Sequence, residues 1–437
     1  MTNPVYWLKR ERNRSSISIS LFLFTYFIGA IYYIYRVGIS NESILKIAIF
    51  SVFLYCVYKG RQETSWINPY FLFSLVPLSI LAYIPSLSTF YMVPLKESTL
   101  IIALLNMIFF LIPLSGSQNK FEEASVFKWN KKQIRNHSLI LLFISFIPNI
   151  YKIILGAEMP FESILSLLYY PAIACAIYTK NRIFILFFSV IMILRMLDGF
   201  DKTGLLFILI TVIVSLEKFI IAKKDRKKVI FIIAIIVIAF LLSFNLRDYL
   251  RAGNTVLLYF SEGVGSYNNA EYYTKNNLIN WNGPNILMIP YMYFTTPWTN
   301  LQYVIESQNT RTFGLWFLKP IFGYLMIDKA FDKYYILLPY SSFNTFTFIS
   351  VLFKDFGYWG SCLGSLFLGY FVNKVYRRYK ASNSPFFVGC YALTASATAE
   401  MFFSNHFFGQ SYPFTIIILM FIYINFIKML KVATSKA

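Results

Sequence analysis

Two arginines four positions apart are the groups in this 437-residue chain best suited to hold a phosphate. Arg247 and Arg251 lie in Asn245-Leu-Arg-Asp-Tyr-Leu-Arg-Ala-Gly253, just past an apolar run. On a continuing helix the i, i+4 spacing puts both guanidinium groups on one face. Two planar forks side by side match a phosphate or pyrophosphate. The competing reading has them reaching to lipid headgroups or pairing with Asp248. Asp355 is a candidate of another kind. From Thr345 to Val372 the only charged side chains are Lys354 and Asp355. Charges within an apolar run are costly, turn toward the protein interior or a wet cavity, and mark function by default. Alternatively the apolar segment proper begins at Phe356 and leaves Asp355 at its edge. Arg311, ahead of Thr312-Phe-Gly314, is either a third cation over the same cavity or a solvated loop arginine. Lys202 in a tight turn with Asp201, Glu400, and His406 in Ser404-Asn-His406 complete the polar candidates. Each of these, taken singly, is more often structural, and an exposed Asp201–Lys202 pair would contribute little.

The elements that must position these groups are membrane spans. With 57% hydrophobic and only 14% charged residues, a soluble globule and a disordered chain are both excluded. Mean hydropathy is +0.57. A spanning helix needs about 20 apolar residues. Candidate spans cover 16–36, 43–59, 68–86, 98–115, 138–155, 163–179, 183–197, 203–221, 229–246, 346–373, 384–403 and 412–430. The expected fold is therefore all-α and polytopic, a single membrane domain over 1–437 with about 12 transmembrane helices. Spans 163–179 and 183–197 are short and carry Pro171 and Arg195. Basic clusters at Lys9–Arg14, Lys59–Arg61, Lys120–Arg135, Lys180–Arg182, Lys223–Lys228, Lys374–Lys380 and Lys428–Lys436 occupy every second gap. Positive charge stays in cytoplasmic loops, so both termini are expected in the cytoplasm and the long gap 247–345 outside it. The formal charge of +20 is then an orientation and headgroup signal, not a nucleic-acid one. The first apolar run, Ile17 to Tyr35, is too long for a cleavable signal and reads as an anchor.

The loop 247–345 is not simply hydrophilic. Asn285–Thr299 and Phe313–Ile327 read as short interfacial or re-entrant helices, and loops this long are usually functional. Tyr291, Tyr293 and Trp298 are candidates for stacking on sugars, though nothing selects them. Gly360 and Gly364, with Gly357 and Gly369 on the same helix, form a GxxxG pattern that reads as close helix packing. Cys56, Cys175, Cys362 and Cys390 have no paired spacing, and there are two histidines, His137 and His406. Neither a disulfide framework nor a metal site is expected. No internal repeat of the kind seen in many secondary transporters is evident.

In order and context the chain resembles the oligosaccharide repeat-unit polymerases, the Wzy-type O-antigen and capsule polymerase family. The segments that carry the resemblance are Asn245–Gly253, Tyr293-Phe-Thr-Thr-Pro-Trp-Thr-Asn-Leu301, Arg311-Thr-Phe-Gly314 and Asn344–Gly360, the last being the most specific. One departure is the turn after the seventh span, where relatives often carry an arginine and this chain has Asp201-Lys202. The resemblance implies a membrane-embedded, metal-independent glycosyltransferase of the bacterial cytoplasmic membrane. Such an enzyme needs no cofactor and acts on undecaprenyl-pyrophosphate-linked oligosaccharide outside the cytoplasm. Asp355 and Arg251 would be catalytic, and Arg247, Arg251, Arg311 and Asn344 would bind the substrate. Membrane lipids and a chain-length-regulating co-polymerase would be its partners, with no nucleic acid. An O-antigen ligase is the nearest rival. A lipid-linked-sugar flippase would instead distribute charge through many spans and keep its loops short.

Overall fold

The computed structural model describes residues 40–63, 65, 67–90, 94–115, 131–156, 159, 162–181, 183, 186–187, 202–219, 285–306, 311–315, 318, 345–382 and 384–403. Among the described residues the secondary structure is helical, with no strand. The helices are α1 (Asn41–Gln62), α2 (Pro69–Phe73), α3 (Leu75–Phe90), α4 (Glu97–Ser115), α5 (Lys131–Leu155) and α6 (Glu162–Leu167). They continue as α7 (Tyr169–Thr179), α8 (Lys202–Phe219), α9 (Asn285–Glu306), α10 (Phe348–Ala381) and α11 (Pro385–Ala399). Among the described residues, three stretches are long and apolar enough to cross a membrane: Asn41–Gln62, Glu97–Ser115 and Ile134–Leu155. The candidate spans 16–36, 229–246 and 412–430 lie outside the described residues, as does most of 183–197.

Local chemistry accounts for the helix ends. Ser40 caps α1 by accepting from the Ser43 amide at 3.1 Å, and Lys59 and Arg61 face the negative end of the helix dipole. Asn68 caps α2 and ties it to α1, accepting from the Phe71 amide at 3.0 Å and donating to the Gly60 carbonyl at 3.0 Å. The expected span 68–86 is thus two helices broken at Ser74. The span 163–179 is likewise broken, at Leu168, where Pro171 has no amide to offer the preceding turn.

The core forms two apolar clusters. One joins α5, α7, α8 and α11. The other joins α1, α2, α3, α4, α9 and α10 around Phe73, Phe110 and Phe348, with Phe73 and Phe110 stacked at 4.1 Å. Helix α10 packs on α4 so closely that a Cβ at Gly369 would sit 2.1 Å from the Phe110 carbonyl oxygen. Asn106 of α4 fastens the same seam, donating to Ser361 Oγ at 3.2 Å and accepting from Ser365 Oγ at 2.6 Å. Meanwhile Trp359, Leu363, Phe367 and Tyr370 of α10 form one exposed stripe. Polar side chains inward and apolar ones outward is the reverse of a water-soluble helix, and it suits a lipid surround.

The basic gaps converge in space. Glu63, just after α1, pairs with Lys380 at 2.7 Å and accepts from the Tyr376 hydroxyl at 2.9 Å. Lys218 near the end of α8 donates to the Tyr379 carbonyl at 2.9 Å. Tyr178 near the end of α7 meets Phe219 with ring centroids 5.0 Å apart, and His137 near the start of α5 meets Phe386 at 6.1 Å. The helix ends bearing Lys59–Arg61, Lys131–Arg135, Lys180 and Lys374–Lys380 therefore share one end of the bundle. At the other end Lys96 pairs with Glu306 at 3.0 Å, and the Phe348 amide donates to the Met401 carbonyl at 3.0 Å.

Helix α9 differs from the sequence expectation. Asn285–Thr299 reads as a short interfacial or re-entrant helix, and the helix found is longer, running 22 residues to Glu306. Its second half is buried, with Trp298, Asn300, Leu301 and Val304 fully enclosed. Polar residues disguise this burial because their partners are internal. Trp298 Nε1 donates to Ser79 Oγ at 2.8 Å, the Asn300 amide to the Thr345 carbonyl at 2.8 Å, and the Tyr83 and Thr299 hydroxyls meet at 2.9 Å.

Candidate functional site

Helix α10 is broken at Gly357, whose φ of 69° and ψ of −158° belong to a region that essentially glycine alone adopts. The last carbonyls of any helix lack partners within it, so a break inside a buried helix must find donors elsewhere. The Arg311–Phe313 segment supplies them in order. Arg311 Nη1 donates to the Phe353 carbonyl at 3.0 Å, the Thr312 amide to Lys354 at 3.3 Å and the Phe313 amide to Asp355 at 3.2 Å. The Arg311 guanidinium also lies over the Phe353 ring, 4.6 Å from its centroid. It occupies the space a side chain at 357 would need: a Cβ there would be 3.2 Å from Nε and 3.3 Å from Cζ.

The break folds α10 back on itself. A Cβ at Gly364 would lie 2.6 Å from Leu352 Cδ2, although residues twelve apart on a straight helix are about 18 Å apart. A Cβ at Gly360 would collide with the Cβ of Phe356 at 2.1 Å. The GxxxG reading therefore needs correcting: Gly360 and Gly364 admit the chain's own short arm, and the glycine that packs on another helix is Gly369. The expected span 346–373 is likewise two arms. The arm before Gly357 is too short to cross a bilayer, whereas the one after it continues to Ala381.

Asp355 sits on the short arm with no exposed surface, and Lys354 beside it is 6% exposed. Both sequence placements of Asp355 are thus half right: the long arm starts after it, yet it is interior. Thr312 donates its hydroxyl proton to Asp355 Oδ1 at 2.5 Å. The turn carrying Thr312 is strained, with Phe313 at φ 47° and Gly314 at φ 91°. Three of the five positive-φ positions among the described residues therefore meet at this contact. Such strain persists only where surroundings enforce it, and it concentrates at functional sites. Chemically the break offers a buried carboxylate that accepts from Thr312, with two cations alongside, in a medium where charge interactions are strong.

The structure thus brings together two of the sequence-derived residues, Asp355 and Arg311. Arg311 is half-buried, with its guanidinium engaged by the backbone and ring of α10. Trp298 is a core residue, and Tyr291 is half-buried, with its hydroxyl donating to the Ala82 carbonyl at 2.6 Å. Glu400 ends α11 fully buried, next to the Met401 carbonyl that holds the short arm of α10. Lys202 opens α8. Arg247, Arg251, Asn344 and His406 lie outside the described residues. Sequence reasoning misses Thr312 and Asn106. The second carries a signal, being a lone amide in an apolar run; the first carries none. No protein-family model, no curated protein and no solved structure matches this chain.

Proposed function

We propose that this protein is a membrane glycosyltransferase that polymerises undecaprenyl-pyrophosphate-linked oligosaccharide repeat units into O-antigen or capsular polysaccharide. It works as a bundle of about 12 spans in a bacterial cytoplasmic membrane, with both termini inside and the site outside. The observation that carries the reading is a juxtaposition. The two segments Arg311–Gly314 and Thr345–Gly360, which on sequence alone carry much of the resemblance, interlock around Asp355 at the bundle end away from the gathered basic residues. By the positive-inside rule that end faces out. A donor that already bears pyrophosphate as leaving group asks little of the protein. Cations must hold the departing diphosphate, a role for Arg251 with Arg247, and Asp355 either accepts the proton of the acceptor hydroxyl or orients the arginines that hold the pyrophosphate.

The test is turnover of lipid-linked repeat units by the purified full chain, with Arg251→Ala and Arg251→Lys alongside. Wild-type chain extension is expected, with both variants reduced because an ammonium does not replace a bidentate fork. A transporter is the second reading, since broken helices also line transport sites. It predicts movement of lipid-linked sugar across a vesicle membrane with no new glycosidic bond.

A further inference from the structure

We propose that Thr312 is a positioning residue for this reaction, setting the Asp355 carboxylate and joining the Arg311–Gly314 turn to the site. The inference rests on the polymerase reading above. Thr312 is 4% exposed, and its hydroxyl has one proton to give. Two acceptors are within range: Asp355 Oδ1 at 2.5 Å and the Lys354 carbonyl at 3.5 Å. The shorter distance is that of a charge-assisted bond and the longer is at the limit of bonding, so the proton goes to the carboxylate. The Thr312 amide, held separately by the Lys354 carbonyl at 3.3 Å, fixes the backbone independently of the side chain.

This division gives the residue two separable jobs. The backbone serves the broken helix; the hydroxyl serves Asp355. A branched side chain has few rotamers, and the strained turn beyond it holds the Cα in place, so the hydroxyl is aimed before substrate arrives. If the turn moves, Asp355 loses its anchor at Oδ1. Thr312 touches no reacting atom in this scheme and acts only through the carboxylate.

Valine at 312 keeps the shape and the amide while deleting the proton donor; serine keeps the donor. With purified full chain and lipid-linked repeat units, Thr312→Val should lower kcat on the order of tenfold to a hundredfold, with KM changed less than twofold. Thr312→Ser should restore most of the loss. In an Asp355→Asn background, adding Thr312→Val should cost little more, because the two act as one unit. Wild-type turnover from Thr312→Val, or fully multiplicative losses in the double variant, overturns the assignment. So does a fall in melting temperature with turnover per molecule unchanged, which marks a purely structural hydroxyl. Absence of turnover in the wild type removes the polymerase reading itself, and the positioning role of Thr312 in that reaction with it. A double-variant melting cycle then reports separately on the contact, with additive losses removing the Thr312–Asp355 coupling as well.

Discussion

The two ends of α10 are held by opposite means. At the basic end the helix finishes regularly at Ala381, and side chains do the fastening: Glu63 to Lys380, Tyr376 to Glu63, Lys218 to the last carbonyls. At the other end the helix is broken, and three backbone carbonyls of the short arm take their donors from a segment remote in sequence. Lys380 is 39% exposed, so water can take the place of its ion pair at little cost. Asp355 has no exposure and Lys354 almost none, so water cannot stand in for a partner removed there. The two ends therefore differ in what they tolerate. One end is an electrostatic fastening that tolerates change, and the other is an interior joint that does not.

The comparison is broken most severely at Gly357. Alanine there meets the Arg311 guanidinium and must adopt a φ near 69°, a strain of roughly 1–3 kcal/mol before any clash is counted. Gly357→Ala should lower the melting temperature of the detergent-solubilised protein by several degrees and abolish polymer. A melt equal to wild type would mean that the break is not fixed as described. Next comes Arg311→Lys, which keeps the charge yet cannot both reach the Phe353 carbonyl and stack on its ring. A loss of about 1–2 kcal/mol is expected, combining one buried hydrogen bond with a cation–π contact. Reduced activity with an unchanged melt would instead return Arg311 to the substrate. The smallest effect belongs to the basic end. Lys380→Ala should cost under about 1 kcal/mol and shrink further in high salt, and a loss as large as that of Gly357→Ala would erase the contrast between the two ends.

The two regions are also unequally legible in sequence. Helices α1, α4 and α5 announce themselves as apolar runs of spanning length, and the gathering of basic gaps at one end follows from their alternation. Asp355 stands out because a charge in an apolar run needs a reason. The break beside it does not. Gly357 lies among Gly360, Gly364 and Gly369, and spacing alone reads that series as helix packing. What separates them is the φ of one residue and the fold-back of one arm, neither of which leaves a periodicity. The Arg311 contact is hidden for a related reason: one partner is a carbonyl oxygen, which every residue possesses, so no residue type at position 353 could betray it. In α9 the polar residues suggest a surface because hydroxyl and amide side chains do not reveal whether their partners are water or protein.

The break also has a consequence for the order in which the molecule is made. Arg311 precedes its carbonyl partner by 42 positions, so the turn is synthesised before the helix it supports. The amide of Phe348 is fastened to Met401, which emerges only after α11 is complete. The short arm is thus held by one group made before it and another made well after. A nascent chain made only as far as Ala381 therefore has the donors of the break in hand but still lacks the second anchor, and the start of the short arm is fastened only once α11 is complete.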